Sequence, residues 1–130
     1  MERENNKKAV VLLGHGSKRE EANNVLKDLS KMLEEDEENI SVYYSFLQFT
    51  TPTLDNAIDK VASNSIDEVT IIPVFLYPGV HLKEDIPEKI NELKGKYPEI
   101  SFKISDPIGA DRRLIPILMD RVKNSQEKEV

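Results

Sequence analysis

The stretch AVVLLGHGSKREEANNVLKDLSKML, Ala9 to Leu33, changes its apolar period once, and the place where it changes decides the fold. Ala9 to Leu13 is a continuous apolar run, the pattern of a strand covered on both faces. Ala22, Val25, Leu26, Leu29, Met32 and Leu33 then recur at intervals of three and four, which makes one stripe of a helix. Between the two lie Gly14, His15, Gly16 and Ser17. A strand, a tight glycine-bearing turn and a helix in so short a span form the first part of a strand-helix-strand unit.

The same alternation continues along the chain. ISVYYSFL, Ile40 to Leu47, is β-branched and aromatic and reads as the second strand. Leu54, Ala57, Ile58, Val61 and Ala62 make a second helical stripe, expected to be entered through Thr51 as N-cap and Pro52 at the first helical position. VTIIPVFL, Val69 to Leu76, is the third strand; Pro73 cannot donate to a ladder, so it belongs near the strand's end or at a bulge. Ile86, Ile90 and Leu93 form a third stripe that Gly95 is expected to close. Ile100, Phe102 and Ile104 alternate with polar residues, which suits an edge strand, and a last helix runs from Leu114 to about Val122, its start delayed by Pro116. Strand-helix repeated four times with short connections implies an α/β fold: a four-stranded parallel sheet flanked by helices on both faces, a flavodoxin-like three-layer sandwich. The 130 residues fit one domain, with the ends, about 1–7 and 124–130, expected to fray.

Composition removes several functions. With no cysteine, disulfides, thiolate metal sites and thiol nucleophiles are excluded, so any metal must be held by imidazole, carboxylate or backbone oxygen. A formal net charge of -6 argues against a nucleic-acid partner. No stretch reaches the roughly 20 apolar residues of a membrane span, and MERENNKKA is charged where a secretory signal needs an apolar core, so a cytoplasmic location and no membrane partner are expected. The acidic run EEDEEN, Glu34 to Asn39, reads as a solvated helix end.

Right-handed crossovers bring the carboxyl ends of all the strands to one edge, where open α/β sheets bind ligands. His15 follows the first strand there, Gln48 the second, Tyr77 to His81 the third and Asp106 to Arg113 the fourth. Both histidines of the chain therefore fall on one rim, where they could share a metal ion or divide ligand and base roles. Simpler readings exist: Gly14 and Gly16 permit a turn, and Ser17 with Glu20 spells a capping box. Lys18, Arg19, Lys83, Arg112 and Arg113 border the same rim of an otherwise acidic chain, a ring suited to a substrate bearing several carboxylates. No GxGxxG, GxxxxGK[ST] or Gly-x-Ser-x-Gly occurs.

With these residues in place, the chain resembles the class II tetrapyrrole chelatases of the small CbiX type, which insert a divalent metal into sirohydrochlorin. The resemblance rests on GHGS (Gly14 to Ser17), on PVFLYPGVHLKEDIP (Pro73 to Pro87, matching P-x-F-L-x-x-G-x-H-x-x-x-D-I-P) and on DPIGADRR (Asp106 to Arg113). It implies half of a two-lobed chelatase, a homodimer with the tetrapyrrole between the halves, no permanent cofactor, and Co²⁺, Ni²⁺ or Fe²⁺ as the metal substrate. It also implies that His15 and His81 deliver the metal and remove protons, with Ser17, Gln48, Tyr77, Gly79 and Val80 against the substrate. Lys18, Arg19, Lys83, Arg112 or Arg113 are added as anchors for its carboxylates. The pathway served, cobalamin, coenzyme F430 or siroheme, follows the metal and stays open.

One position departs from the family pattern. Members commonly carry an acid after the second strand, where this chain has Gln48 in FLQFTTP. An amide ligates weakly through oxygen and takes no proton. Either the acid is dispensable, or Asp85 or Glu84 replaces it, or insertion is slow. ELKGKYPE, Glu92 to Glu99, lacks the histidines of a metal-storing loop. Two other functions compete: a non-catalytic tetrapyrrole or metal carrier, and a histidine phosphatase using His15 as nucleophile. The second is disfavoured by Gly14 standing where such enzymes place an arginine.

Overall fold

The computed structural model describes residues 8–77, 79 and 84–127. The elements are β1 (Lys8–Gly14), α1 (Glu20–Asp36), β2 (Ile40–Phe46), α2 (Leu54–Ser63), β3 (Glu68–Pro73), α3 (Ile86–Lys96), β4 (Ser101–Ile104) and α4 (Ile115–Lys123). The four strands form one parallel sheet in the order β2-β1-β3-β4, as the alternating pattern predicts. β1 is central and paired on both sides, which is why its sequence is apolar without alternation. β4 lies at an edge, and Pro73 is the last residue of β3.

Two apolar layers clamp the sheet. Val11 and Leu13 of β1 and Val69 and Ile71 of β3 pack with Ala57, Ile58 and Val61 of α2 and with Ile86, Ile90 and Leu93 of α3. On the opposite face Leu12 and Phe46 pack with Leu26 of α1. The reversal from β1→β2 to β2→β3 in the strand order requires this split, because right-handed crossovers running in opposite directions lie on opposite faces.

Several boundaries differ from expectation. α2 is capped by Thr53, two residues after Thr51: Thr53 Oγ1 accepts from Asn56 N–H (3.1 Å) while Asn56 Oδ1 accepts from Thr53 N–H (2.9 Å). Thr51-Pro52 is a cis peptide ahead of the helix, and the Pro52 carbonyl instead accepts from Phe46 N–H at 2.9 Å. Ser17 and Glu20 form no capping box; α1 begins at Glu20 after Arg19, and no side chain caps it. Gly95 sits inside α3, which ends at Lys96, since leucine and isoleucine packing outweighs the propensity cost of one glycine. A 3₁₀ turn, Arg112 to Leu114, precedes α4 and is capped by Asp111.

α4 is the exception to the layered plan. Every residue from Ile115 to Lys123 is exposed, among them Ile117, Leu118 and Met119, and the helix packs chiefly against the turn that precedes it. Flanking helices therefore cover both faces, α1 on one and α2 with α3 on the other, while α4 covers neither within the chain.

The position of the α2 cap is checked by paired substitutions. Thr53→Ala is expected to lower stability by about 1 kcal/mol in urea unfolding, whereas Thr51→Ala changes it by less than about 0.5 kcal/mol.

Candidate functional site

The carboxyl edge of the sheet is built outward from β1. Parallel pairing continues one step past the strand, with Leu47 N–H donating to the Gly14 carbonyl (2.9 Å) and Gln48 N–H to the His15 carbonyl (3.2 Å). Gly16 then turns the chain with φ +89°, and a Cβ there would lie 1.9 Å from the Gln48 carbonyl oxygen. Only glycine accepts both the conformation and the approach. His15 is thus carried past the end of the sheet's central strand and stays exposed. Its ring lies on Phe75, which follows β3, with centroids 3.9 Å apart and planes 18° from parallel.

Ser17 does not cap α1 as expected. Its hydroxyl accepts from Arg19 N–H at 3.0 Å, a local turn, and its peptide is gripped by Asn23. Gln48 is exposed and lines a cavity of about 360 Å³ with Leu47, Asp55, Asp85 and Lys89. His15 and Ser17 line a smaller one of about 250 Å³ with Val25, Leu29 and Val74 on the α1 side. A further hollow, about 770 Å³, lies along the free edge of β2 among Lys27, Lys31, Tyr44 and Lys60. Its lining includes none of the candidate site residues read from the sequence.

The basic ring is uneven. The Lys18 ammonium stands 5.5 Å from the centre of the Phe49 ring, and Arg19 is exposed at the start of α1. Arg113 is already engaged: its Nε and Nη2 donate to the two carboxylate oxygens of Asp111 at 2.7 and 2.6 Å. That fork, with the Arg113 N–H, holds the Asp111 carboxyl at about 2, below the usual carboxylate range. Arg112 is exposed and pairs with no carboxylate among the described residues, so it is the freer of the two guanidinium groups. Tyr77 and Gly79 are exposed beyond β3. Val80, His81 and Lys83 lie outside the described residues. Among the described residues no three histidine, aspartate or glutamate side chains gather as a metal cage.

Sequence reasoning missed three residues here: Asn23, Phe75 and Phe49. Asn23 had a signal, since it shares the sheet-facing side of α1 with Leu26 and Ser30, where an amide needs a reason. Phe75 had one as well, as the fixed phenylalanine of the P-x-F-L pattern, while Phe49 had none, because its value comes from a cation brought near by folding.

With this geometry in view, comparison with known proteins is decisive. The CbiX family model matches residues 9–125. The chain belongs to the CbiX family. It is 34% identical over 114 residues to the sirohydrochlorin cobaltochelatase of Sulfurisphaera tokodaii, covering 88% of this chain and 90% of that one. It is 35% identical over 120 residues to the enzyme of the same name from Priestia megaterium, covering 92% of this chain but 39% of that protein. The sirohydrochlorin chelatase SirB of Bacillus subtilis subspecies spizizenii, solved in complex with cobalt, superimposes with a TM-score of 0.84 at 25% identity, covering 91% of this chain and 50% of that one. The relatives it matches thus include one of about this length and others at least about twice as long.

The glycine at the turn gives a direct check. Gly16→Ala is expected to cost about 2–3 kcal/mol in unfolding free energy from the left-handed backbone alone, or to displace the Gln48 peptide, visible as amide shifts at Leu47 and Gln48.

Proposed function

We propose that this chain is a sirohydrochlorin chelatase that inserts Co²⁺ or Ni²⁺, with Fe²⁺ as a third candidate, into its tetrapyrrole substrate. The observation that carries the proposal is an exposed imidazole, His15, held at the carboxyl edge of the sheet by a turn that only glycine permits, in a chain of the CbiX family. Insertion exchanges one divalent ion for two pyrrole N–H protons. Neutral imidazole suits both halves of that exchange, because it ligates these metals and accepts protons near neutral pH. His15 and His81 are assigned jointly to metal delivery and proton removal. Lys18, Arg19, Lys83 and Arg112 are assigned to the substrate's carboxylates, and Arg113 joins them only by leaving Asp111. Ser17, Gln48, Tyr77, Gly79 and Val80 complete the substrate-facing rim. The setting proposed is the cytoplasm, in cobalamin, coenzyme F430 or siroheme formation according to the metal; no helix among the described residues is long and apolar enough to cross a membrane.

Purified protein incubated with sirohydrochlorin and each metal in turn should change the absorption spectrum faster than the metal alone does. His15→Ala should lower that rate by about a hundredfold or more, in line with loss of a positioned acid-base group. The carrier reading is favoured by one residue, Gln48. It expects tight sirohydrochlorin binding without turnover, and insertion that appears on Gln48→Glu.

The working unit proposed is a homodimer. α4 presents Ile115, Ile117, Leu118, Met119 and Val122 to solvent with exposures of 40% or more. α1 leaves Val25, Leu29 and Met32 similarly bare, and Ile72 of β3 and Val74 just after it are only partly covered on the face that packs with Leu26. On this proposal a second copy of the chain covers these apolar surfaces and supplies the other half of the two-lobed arrangement that the resemblance implies. Light scattering should give twice the chain mass for the wild type. Leu118→Asp should give the single-chain mass with an unchanged far-ultraviolet spectrum, and insertion should be lost with the dimer.

A further inference from the structure

The geometry points to Asn23 as the positioning residue that fixes the His15 turn at the edge of the sheet. Asn23 is 4% exposed, an amide buried on the sheet-facing side of α1 next to Leu26. Its Oδ1 accepts from Ser17 N–H at 2.9 Å, and its Nδ2 donates to the Ser17 carbonyl at 2.9 Å. The Ser17 N–H and C=O belong to successive peptide groups, so one side chain pins both the Gly16–Ser17 and the Ser17–Lys18 peptides, as a neighbouring strand would. On the other side the turn is held by backbone: the Gly14 carbonyl accepts from Leu47 and the His15 carbonyl from Gln48. Gly16 lies against Gln48 between these two attachments.

The consequence for His15 is specific. The peptides before and after it are tied to Leu47 and Gln48, the two residues that follow β2, and the residue two positions later is tied to α1, so the backbone of the turn has both ends fixed. Only the side-chain torsions of His15 remain, and stacking on Phe75 selects among them. Without the Asn23 contact the Ser17 N–H and C=O both lose that partner in a part-buried place, and the backbone at Ser17 must swing toward water to satisfy them. Because Ser17 is two residues from His15, that swing moves the imidazole off Phe75. Serine would not do this from a cap position; here its peptide, rather than its hydroxyl, is the handle.

The effect on metal handling rests on the chelatase reading, but the positioning itself is measured in the metal-free protein. In the wild type, the Ser17 amide should exchange with solvent at least about tenfold more slowly than that of Lys18, as a paired amide does. The His15 ring protons, assigned by their loss in His15→Ala, should lie upfield under the Phe75 ring. Asn23→Ala should move the His15 signals toward their free positions, leave those of His81 in place, and weaken Co²⁺ binding by about ten- to a hundredfold, the usual cost of removing a group that orients a metal ligand. In turnover it should lower kcat with KM for sirohydrochlorin little changed. Asn23→Asp, equal in size, keeps the acceptor for Ser17 N–H and loses the donor, so a smaller displacement in the same direction is expected. A Ser17 amide that exchanges as fast as Lys18 overturns the inference without any variant, as do unchanged His15 signals in either variant that folds. A wild type with these signatures but no metal insertion would instead defeat the chelatase reading and leave the positioning role standing.

Discussion

The structure depends on β1 being paired on both sides by strands running its own way. Seven residues, Lys8 to Gly14, match Ile40 to Phe46 on one side, and Lys8 to Leu13 match Glu68 to Pro73 on the other. Val11 and Leu13 then look to α2 and α3 while Leu12 looks to α1, so each residue of the strand is committed to a layer. Sliding either neighbour by one residue would turn every side chain to the wrong face. With the register fixed, the end of β1 is fixed, and the histidine one residue beyond it has one place to be.

This is why so much was legible in advance. The apolar run Ala9 to Leu13 and the three- and four-residue spacing after it report the two periods directly, and periodicity survives ignorance of partners. The parallel sheet, the edge position of β4 and the common rim of the strand ends follow from that pattern with the handedness rule, whereas the order β2-β1-β3-β4 came only with the fold. Caps were less legible. Thr51 and Thr53 both precede apolar helical residues, and the choice between them lay in Asn56, whose amide answers Thr53 across three residues. Ser17 and Glu20 have the letters of a capping box, yet Asn23 takes the Ser17 peptide first and leaves the helix to begin later.

Other features were hidden because they depend on distance in space. Nothing in the sequence distinguishes Arg113 from Arg112, yet one is forked onto Asp111 and the other is exposed without such a partner among the described residues. The last helix was expected from Leu114 to about Val122 as one more flanking helix, since an amphipathic helix normally finds its layer within the chain. Its full exposure here is something periodicity has no means of expressing.

Charge at the rim bears on what Gln48 does there. A carboxylate beside a divalent ion removes one of its two charges and holds it more firmly; an amide oxygen removes none. On the proposed function, the ion at this rim therefore keeps its full charge and faces a substrate rich in carboxylates. The pull toward the macrocycle is then stronger and the hold of the protein weaker, which favours release into the ring over retention. The same substitution removes a proton acceptor at that position, leaving imidazole, solvent and the Asp55 and Asp85 carboxylates of the same cavity to take the two pyrrole protons. On that function, loss of the acid shifts the difficulty from letting go of the metal to taking up the protons. That makes the orientation of His15, set by Gly16, Phe75 and Asn23, more consequential than where an acid stands at position 48.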